Sequence, residues 1–111
     1  MASRTASPIH KLRTDLGLSP ATFARLLGAS ERSIRLWESG EEPGESHARH
    51  LTQLERICAA ARKVMKPRFV GKWIATPLEA LGGQKPLEAI ERGEYDRVWR
   101  VLFGVESGGH R

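Results

Sequence analysis

Few residues in this sequence have the type and spacing that catalysis or metal binding would need. His47 and His50 lie three positions apart in a helical stretch and could share a metal ion, but no further ligand stands at convincing spacing, which favours solvent-facing side chains. Cys58 is the only cysteine, which excludes an internal disulfide, and its helical neighbours favour a buried thiol. Phosphate-binding glycine loops and nucleophile motifs are missing from the sequence. We therefore expect a protein that acts by binding, not an enzyme, with no metal and no cofactor.

Prolines, glycines and serines divide the chain into short helical segments. Ser7-Pro8 and Ser19-Pro20 are typical helix starts, whereas Gly17 and Gly28 are typical helix ends. Between these breaks the apolar residues recur at helical spacing, and no run alternates as a strand would. A longer helix is predicted from about Ser46 to Met65. The predicted fold class is all-α.

The net charge of +5 is concentrated in the second half of the chain. Between Arg56 and Lys72 the sequence carries six basic residues and no acidic one. Such a stretch suits phosphate groups, and a solvated helix face explains it equally well. No apolar run is long enough for a membrane span or a secretory signal, so we expect a soluble, cytoplasmic protein without membrane contact.

The segment LGLSPATFARLLGASERSIRLWESG has the spacing of a DNA-binding helix-turn-helix. That motif needs two short helices joined by a tight turn, so that the first holds the second in the major groove. The segment resembles the Xre and phage-repressor family at a set of matching positions, and the resemblance spans about residues 8–57. These positions are Leu18, Ala24, Leu27, Gly28, Ser30, Ser33, Ile34, Trp37, Glu38 and Gly40. The resemblance implies a DNA-binding module at the N-terminus.

The Xre resemblance places the DNA-binding residues at the start and on the outer face of the third helix. They are Ser30, Glu31, Arg32, Ser33, Arg35 and Leu36. Arg32 can pair with guanine through two hydrogen bonds and is the expected specificity residue. Pro20 departs from the family pattern, which usually has a glutamine there.

Two of these positions have more than one interpretation, Glu31 and Leu36. Glu31 could accept a hydrogen bond from cytosine, yet a carboxylate in the first turn also stabilises the helix dipole, which is the reading we favour. Leu36 could contact a thymine methyl or pack on a neighbouring helix. Arg35 is placed to reach a phosphate.

The segment FVGKWIATPLEALGGQKPLEAIERGEYDRVWRVLFGVESG resembles the C-terminal domain of Xre/MbcA/ParS-type antitoxins. The matching positions are Trp73, Pro77, Leu78, Leu81, Gly82, Gly83, Pro86, Leu87, Gly93, Val98, Leu102 and Gly108. The resemblance implies an antitoxin that neutralises a RES-domain toxin, which degrades NAD, by covering its active site. It also implies that the antitoxin represses their shared operon by binding operator DNA.

The expected organisation has three parts. Residues 1–7 are a disordered N-terminus, residues 8–64 are the helix-turn-helix domain with a long connecting helix, and residues 65–111 are the toxin-binding domain. Arg97, Arg100 and Arg111 are the expected toxin-facing residues, because arginines suit an active site shaped for phosphates. A homodimer is expected, because paired half-sites supply affinity that one helix-turn-helix lacks. The alternative is a stand-alone Xre-type transcriptional repressor.

Overall fold

The structure is a computed structural model that describes residues 8–106, with side chains described up to Gly104. Seven α-helices follow one another: α1 (Pro8–Leu16), α2 (Pro20–Leu27), α3 (Glu31–Glu38), α4 (Glu45–Val64), α5 (Pro67–Ile74), α6 (Pro86–Glu91) and α7 (Tyr95–Glu106), with a short 3-10 turn at Glu79–Leu81 before α6. Residues 8–106 contain no strand, so the predicted all-α class is confirmed. The expected disordered segment 1–7 lies outside the described residues.

Local signals in the sequence begin and end these helices. The Ser19 hydroxyl accepts a hydrogen bond from the Thr22 amide at 3.1 Å, and Pro20 occupies the first turn of α2. Gly28 ends α2 in the left-handed conformation, with φ of 66°. Pro67 and Pro86 occupy the first turns of α5 and α6. At α6 the Glu88 carboxylate also accepts a hydrogen bond from the Lys85 amide at 2.8 Å.

The hydrophobic core is continuous across the expected boundary between residues 64 and 65. The long helix α4 places Leu54, Ile57, Cys58 and Ala61 inward along its length. From the first half, α1 packs against α5 and α2 packs against α6, while α4 contacts both α5 and α7. Buried residues of both halves therefore belong to one cluster, which includes Phe23, Ile34, Leu54, Ile74, Ile90 and Val98. The two halves stabilise each other.

No helix among the described residues is both long and apolar enough to cross a membrane.

Because the two halves share one core, replacing a buried side chain of the second half by a smaller one should destabilise the whole fold. Ile74 of α5 is fully buried, so Ile74→Ala should lower the free energy of unfolding by about 2 to 5 kcal/mol. Phe69, on the same helix but 45% exposed, is the matched control, and Phe69→Ala should cost about 0.5 kcal/mol. Denaturant unfolding followed by both circular dichroism and tryptophan fluorescence is the measurement. Two separate transitions in the Ile74→Ala variant, with the second half unfolding before the first, would contradict a shared core.

Candidate functional site

Helices α2 and α3 meet at a tight turn formed by Gly28, Ala29 and Ser30. The Ala29 amide donates to the Ala24 carbonyl at 2.8 Å, which closes the end of α2. Ser30 then caps α3, because its hydroxyl oxygen accepts a hydrogen bond from the Ser33 amide at 3.0 Å. The turn fixes the angle between the helices within three residues. Two short helices therefore follow each other here through a turn of three residues.

The outer face of α3 carries the side chains that were expected to contact DNA. Ser30, Glu31, Arg32 and Arg35 are exposed, and Ser33 and Leu36 are half-buried. Ile34 and Trp37 point into the core, which orients the helix. Leu36 thus retains some exposed surface beside its packing contacts.

The charges on this face are not equally available. Glu31 lies 3.7 Å from Arg35 one helical turn later, so these two charges are partly matched. Arg32 forms no ion pair and no hydrogen bond through its side chain with any side chain or backbone group described between Pro8 and Gly104. Arg32 is accordingly the cation on α3 that is free for an external acceptor.

The end of α3 is held by a charge cluster that sequence reasoning missed. The Arg13 guanidinium of α1 donates to both carboxylate oxygens of Glu38, at 2.6 Å from Nε and 3.2 Å from Nη2. Arg13 also donates to the Leu18 carbonyl at 3.0 Å. His10 Nδ1 lies 3.1 Å from the same carboxylate. This cluster ties α3 to α1 and to the segment before α2.

The Arg13–Glu38 pair is shielded from solvent, with both side chains 15% exposed. Hydrogen bonds from Arg13, the largest contribution, and from His10 lower the pKa of Glu38, although burial opposes this shift. Glu38 matched the Xre pattern in the sequence, but nothing local indicated its partner 25 positions earlier. The carboxylate stays ionised and keeps α3 in place.

The two histidines considered for metal binding have separate structural roles. His47 Nε2 lies 3.1 Å from the Gly28 carbonyl oxygen, and its ring packs 5.1 Å from that of Trp37. His50 Nδ1 lies 2.7 Å from the Tyr95 hydroxyl, which joins α4 to α7. Within residues 8–106, no group of three His, Cys, Asp or Glu side chains could hold a metal ion.

Cys58 lies in the core, as its neighbours in the sequence indicated. Its side chain is fully buried, and desolvation raises the pKa of the thiol to about 11. A thiol with this pKa is protonated at neutral pH and is a poor nucleophile.

The second candidate surface is α7. Asp96, Arg100 and Phe103 are exposed on its outer side, and the rings of Trp99 and Phe103 pack 5.6 Å apart. Arg100 has no ion pair or hydrogen bond through its side chain in the described part of the chain. The expected toxin-facing residue Arg111 lies outside the described residues.

Arg97, the third arginine expected to face a toxin, is used mainly within the chain. Its guanidinium donates to Gln84 at 2.8 Å, to Glu94 at 2.9 Å and to the Leu81 carbonyl at 3.1 Å. These bonds fasten α7 to the segment that precedes α6. Arg97 therefore shapes the surface on which Arg100 is displayed.

The basic stretch from Arg56 to Lys72 covers the second half of α4 and most of α5, and its basic side chains are exposed. The Arg68 guanidinium lies 5.2 Å from the ring centroid of Phe69. The six exposed cations are Arg56, Arg62, Lys63, Lys66, Arg68 and Lys72. This exposure is compatible with both interpretations of the basic stretch, as a phosphate-binding surface and as a solvated helix face.

This chain is similar in sequence to known antitoxins over nearly its whole length. It is 28% identical over 105 residues to a probable mycobacterial cidal antitoxin of Mycobacterium tuberculosis, an alignment that covers 95% of this chain and 90% of the relative. It is 26% identical over 109 residues to the mycobacterial cidal antitoxin MbcA of Mycobacterium bovis, covering 97% and 93%. No protein-family model matches the chain.

A solved structure shares the fold. It is the crystal structure of the M. tuberculosis MbcT–MbcA toxin–antitoxin complex, in which one chain superimposes with a TM-score of 0.78 and 23% sequence identity. The match covers 99% of this chain and 100% of that one. The resemblance to MbcA-type antitoxins that the sequence indicated is confirmed.

The partly buried Glu38 carboxylate predicts a specific pH dependence of stability. Because its pKa is lowered in the folded state, its contribution is complete above the unfolded pKa of about 4.3 and is lost as the pH falls through the folded value. Glu38→Gln should lower the free energy of unfolding at pH 7 by about 1 to 3 kcal/mol. The difference from the unmodified protein should shrink as the pH falls below about 4.

The matched control for this measurement is Glu31→Gln. Glu31 is exposed and lies at 3.7 Å from its partner, so its loss should change stability by less than about 0.5 kcal/mol. Urea unfolding at several pH values measures both variants. A stability difference for Glu38→Gln that is equal at pH 3 and at pH 7 would refute this role of the carboxylate.

Proposed function

We propose that this chain, which is similar over its whole length to the MbcA-type antitoxins, is the antitoxin of a type II toxin–antitoxin pair and acts by binding, not by catalysis. The observation that carries this proposal is the full-length match, in sequence and in fold, to an antitoxin that was solved in complex with its toxin. Both the N-terminal helices and the α5–α7 segment take part in that match. An agreement limited to α2 and α3 would have supported only a DNA-binding protein.

The proposed partner is a RES-domain toxin that degrades NAD, and the proposed contact region is α7 with the chain that follows it. Arg100 is exposed and unengaged on α7, and Arg111 lies further along the same end of the chain. Arginine recognises phosphate-like groups through paired donors, which suits the entrance of an NAD-binding site. Arg97 supports this region by fastening α7 through Leu81 and Gln84. In this arrangement the antitoxin covers the toxin's active site.

The second proposed activity is repression of the shared operon by DNA binding in the cytoplasm. Arg32 and Arg35 project from the exposed face of α3, and the turn before α3 holds that helix at a fixed angle. A helix-turn-helix reads bases with the first residues of its second helix, which here are Glu31 and Arg32. We propose a homodimer that places two copies of α3 on an approximately palindromic operator, with half-sites about one helical turn apart.

Co-expression with the product of the neighbouring gene tests the antitoxin proposal. The two proteins should purify as one complex, and the chain should restore growth and NAD levels in cells that express the toxin. Arg100→Ala should weaken the complex about tenfold, as expected when a charge-assisted hydrogen bond is removed. Arg92→Ala, which removes an exposed arginine outside α7, is the matched control and should leave the affinity unchanged.

Two results of this experiment would count against the proposal. If no neighbouring gene product binds, the antitoxin proposal fails and the stand-alone repressor takes its place. If a complex forms but the Arg100 and Arg92 variants bind equally well, α7 is not the contact region.

Arg32→Ala tests the DNA-reading role of α3. Loss of a paired contact with guanine should cost about 1 to 3 kcal/mol at one base pair and leave binding to random DNA nearly unchanged. Competition binding with single-base operator variants measures this discrimination. Equal losses of affinity for operator and random DNA would show that Arg32 contacts only a phosphate.

A further inference from the structure

Helix α5 approaches α1 at a point where no side chain fits. Gly71 lies in the middle of α5, against the backbone of Leu16 at the end of α1. A Cβ at Gly71 would lie 2.9 Å from the carbonyl carbon of Leu16, 3.3 Å from its Cα and closer still to its carbonyl oxygen. Cβ contacts in real structures essentially never fall below 3.0 Å. Since the obstacle is backbone, no side-chain rotation could relieve the clash.

Glycine is not needed at this position for its backbone conformation. Six other glycines among residues 8–106 adopt positive φ. Gly71 is helical instead, a conformation in which glycine is disfavoured by about 1 kcal/mol relative to alanine. The residue therefore serves close packing between α5 and α1. Any larger residue must move one helix relative to the other.

The end of α1 is connected to α3 through Arg13. Arg13 precedes Leu16 by about one helical turn, and its guanidinium holds both the Glu38 carboxylate and the Leu18 carbonyl. A shift of α1 at Leu16 therefore displaces the group that fixes the end of α3. A recognition constellation works only when it is held within about 0.5 Å of its productive geometry.

The second half of the chain is also connected to α2. Arg25 of α2 donates to the Glu91 carboxylate of α6 at 3.3 Å from Nε and 3.2 Å from Nη2. This pair is largely exposed and contributes little energy by itself, but it marks the side on which α6 supports α2. Both helices that hold α3 in place are thus supported from the second half.

We propose that Gly71 is a positioning residue for DNA recognition: by letting α5 seat directly on the backbone of α1, it sets the orientation in which α3 meets the operator. This inference rests on the proposed operator binding. It assigns α5, which the sequence places in the toxin-binding half, a second role as a support of the DNA-reading helices.

The test compares Gly71→Ala with Gly104→Ala. Gly104 is also helical, in α7, and a Cβ there would meet nothing within 4 Å, so its replacement should leave binding and stability at least equal to those of the unmodified protein. The probes are a duplex of the intergenic DNA upstream of the chain's own gene and a scrambled duplex of equal length. Binding is measured at a temperature at which circular dichroism shows every variant fully folded.

Gly71→Ala should lower affinity for the upstream duplex about tenfold while leaving affinity for the scrambled duplex nearly unchanged. The ratio of the two affinities is the decisive value, because a loss of stability alone does not change it while the protein stays folded. If Gly71→Ala fails to fold, Val70→Ala should lower the ratio by a smaller factor, since it removes buried packing next to Gly71, near Leu12 and Leu16 of α1, without a clash.

If Gly71→Ala folds and the ratio of the two affinities is unchanged, the inference is overturned, while operator binding stands. If only Val70→Ala folds, an unchanged ratio in that variant has the same meaning. A different result, in which the unmodified protein shows no preference for the upstream duplex, overturns the proposed DNA binding and the role of Gly71 with it.

Discussion

The ion pair between Arg13 and Glu38 is the interaction on which the arrangement of the first three helices depends. It joins α1 to the end of α3, and each partner makes a further contact. Arg13 also donates a hydrogen bond to the Leu18 carbonyl, and the Glu38 carboxylate also lies within hydrogen-bond distance of His10. Removing one partner would leave the other charge shielded from water without compensation, which costs far more than an exposed pair contributes. A short helix such as α3, with only two buried side chains, needs this support.

The same support extends into the second half of the chain. Glu38 is held by α1, α1 is seated on α5 at Gly71, and α2 rests on α6. A chain of this length cannot build two large cores, so the residues proposed to read DNA and those proposed to bind a toxin are positioned by one cluster of buried side chains. Rigid coupling of this kind makes the geometry of each surface depend on residues in both halves.

Much of the local structure could be predicted from the sequence, because the signals are local. Ser19-Pro20 begins α2 and Gly28 ends it, as expected, and the long helix begins at Glu45, one residue before its predicted start. The burial of Cys58 also followed from helical spacing, and the exposed position of Arg32 agrees with what the Xre resemblance implied.

Long-range contacts could not be predicted, since no local pattern encodes them. The pairing of Arg13 with Glu38 spans 25 positions, and the seat of Gly71 on Leu16 depends on how α5 returns to α1. Arg97 was predicted to face a toxin because arginines suit an active site shaped for phosphates. The turn at Leu81–Gln84 folds back against it, and its donors are used there. Spacing along one helix shows which side a residue occupies, but not which element covers that side.

Amide hydrogen exchange tests most directly whether the helices that bear the two proposed binding surfaces, α3 and α7, belong to one unit that unfolds cooperatively. We expect the slowest amides of α2, around Phe23 and Leu27, and those of α7, around Val98 and Leu102, to exchange with the same free energy of opening and the same dependence on denaturant. Exchange of α5, α6 and α7 through a separate, lower-energy opening, while α1 to α4 stay protected, would contradict this expectation.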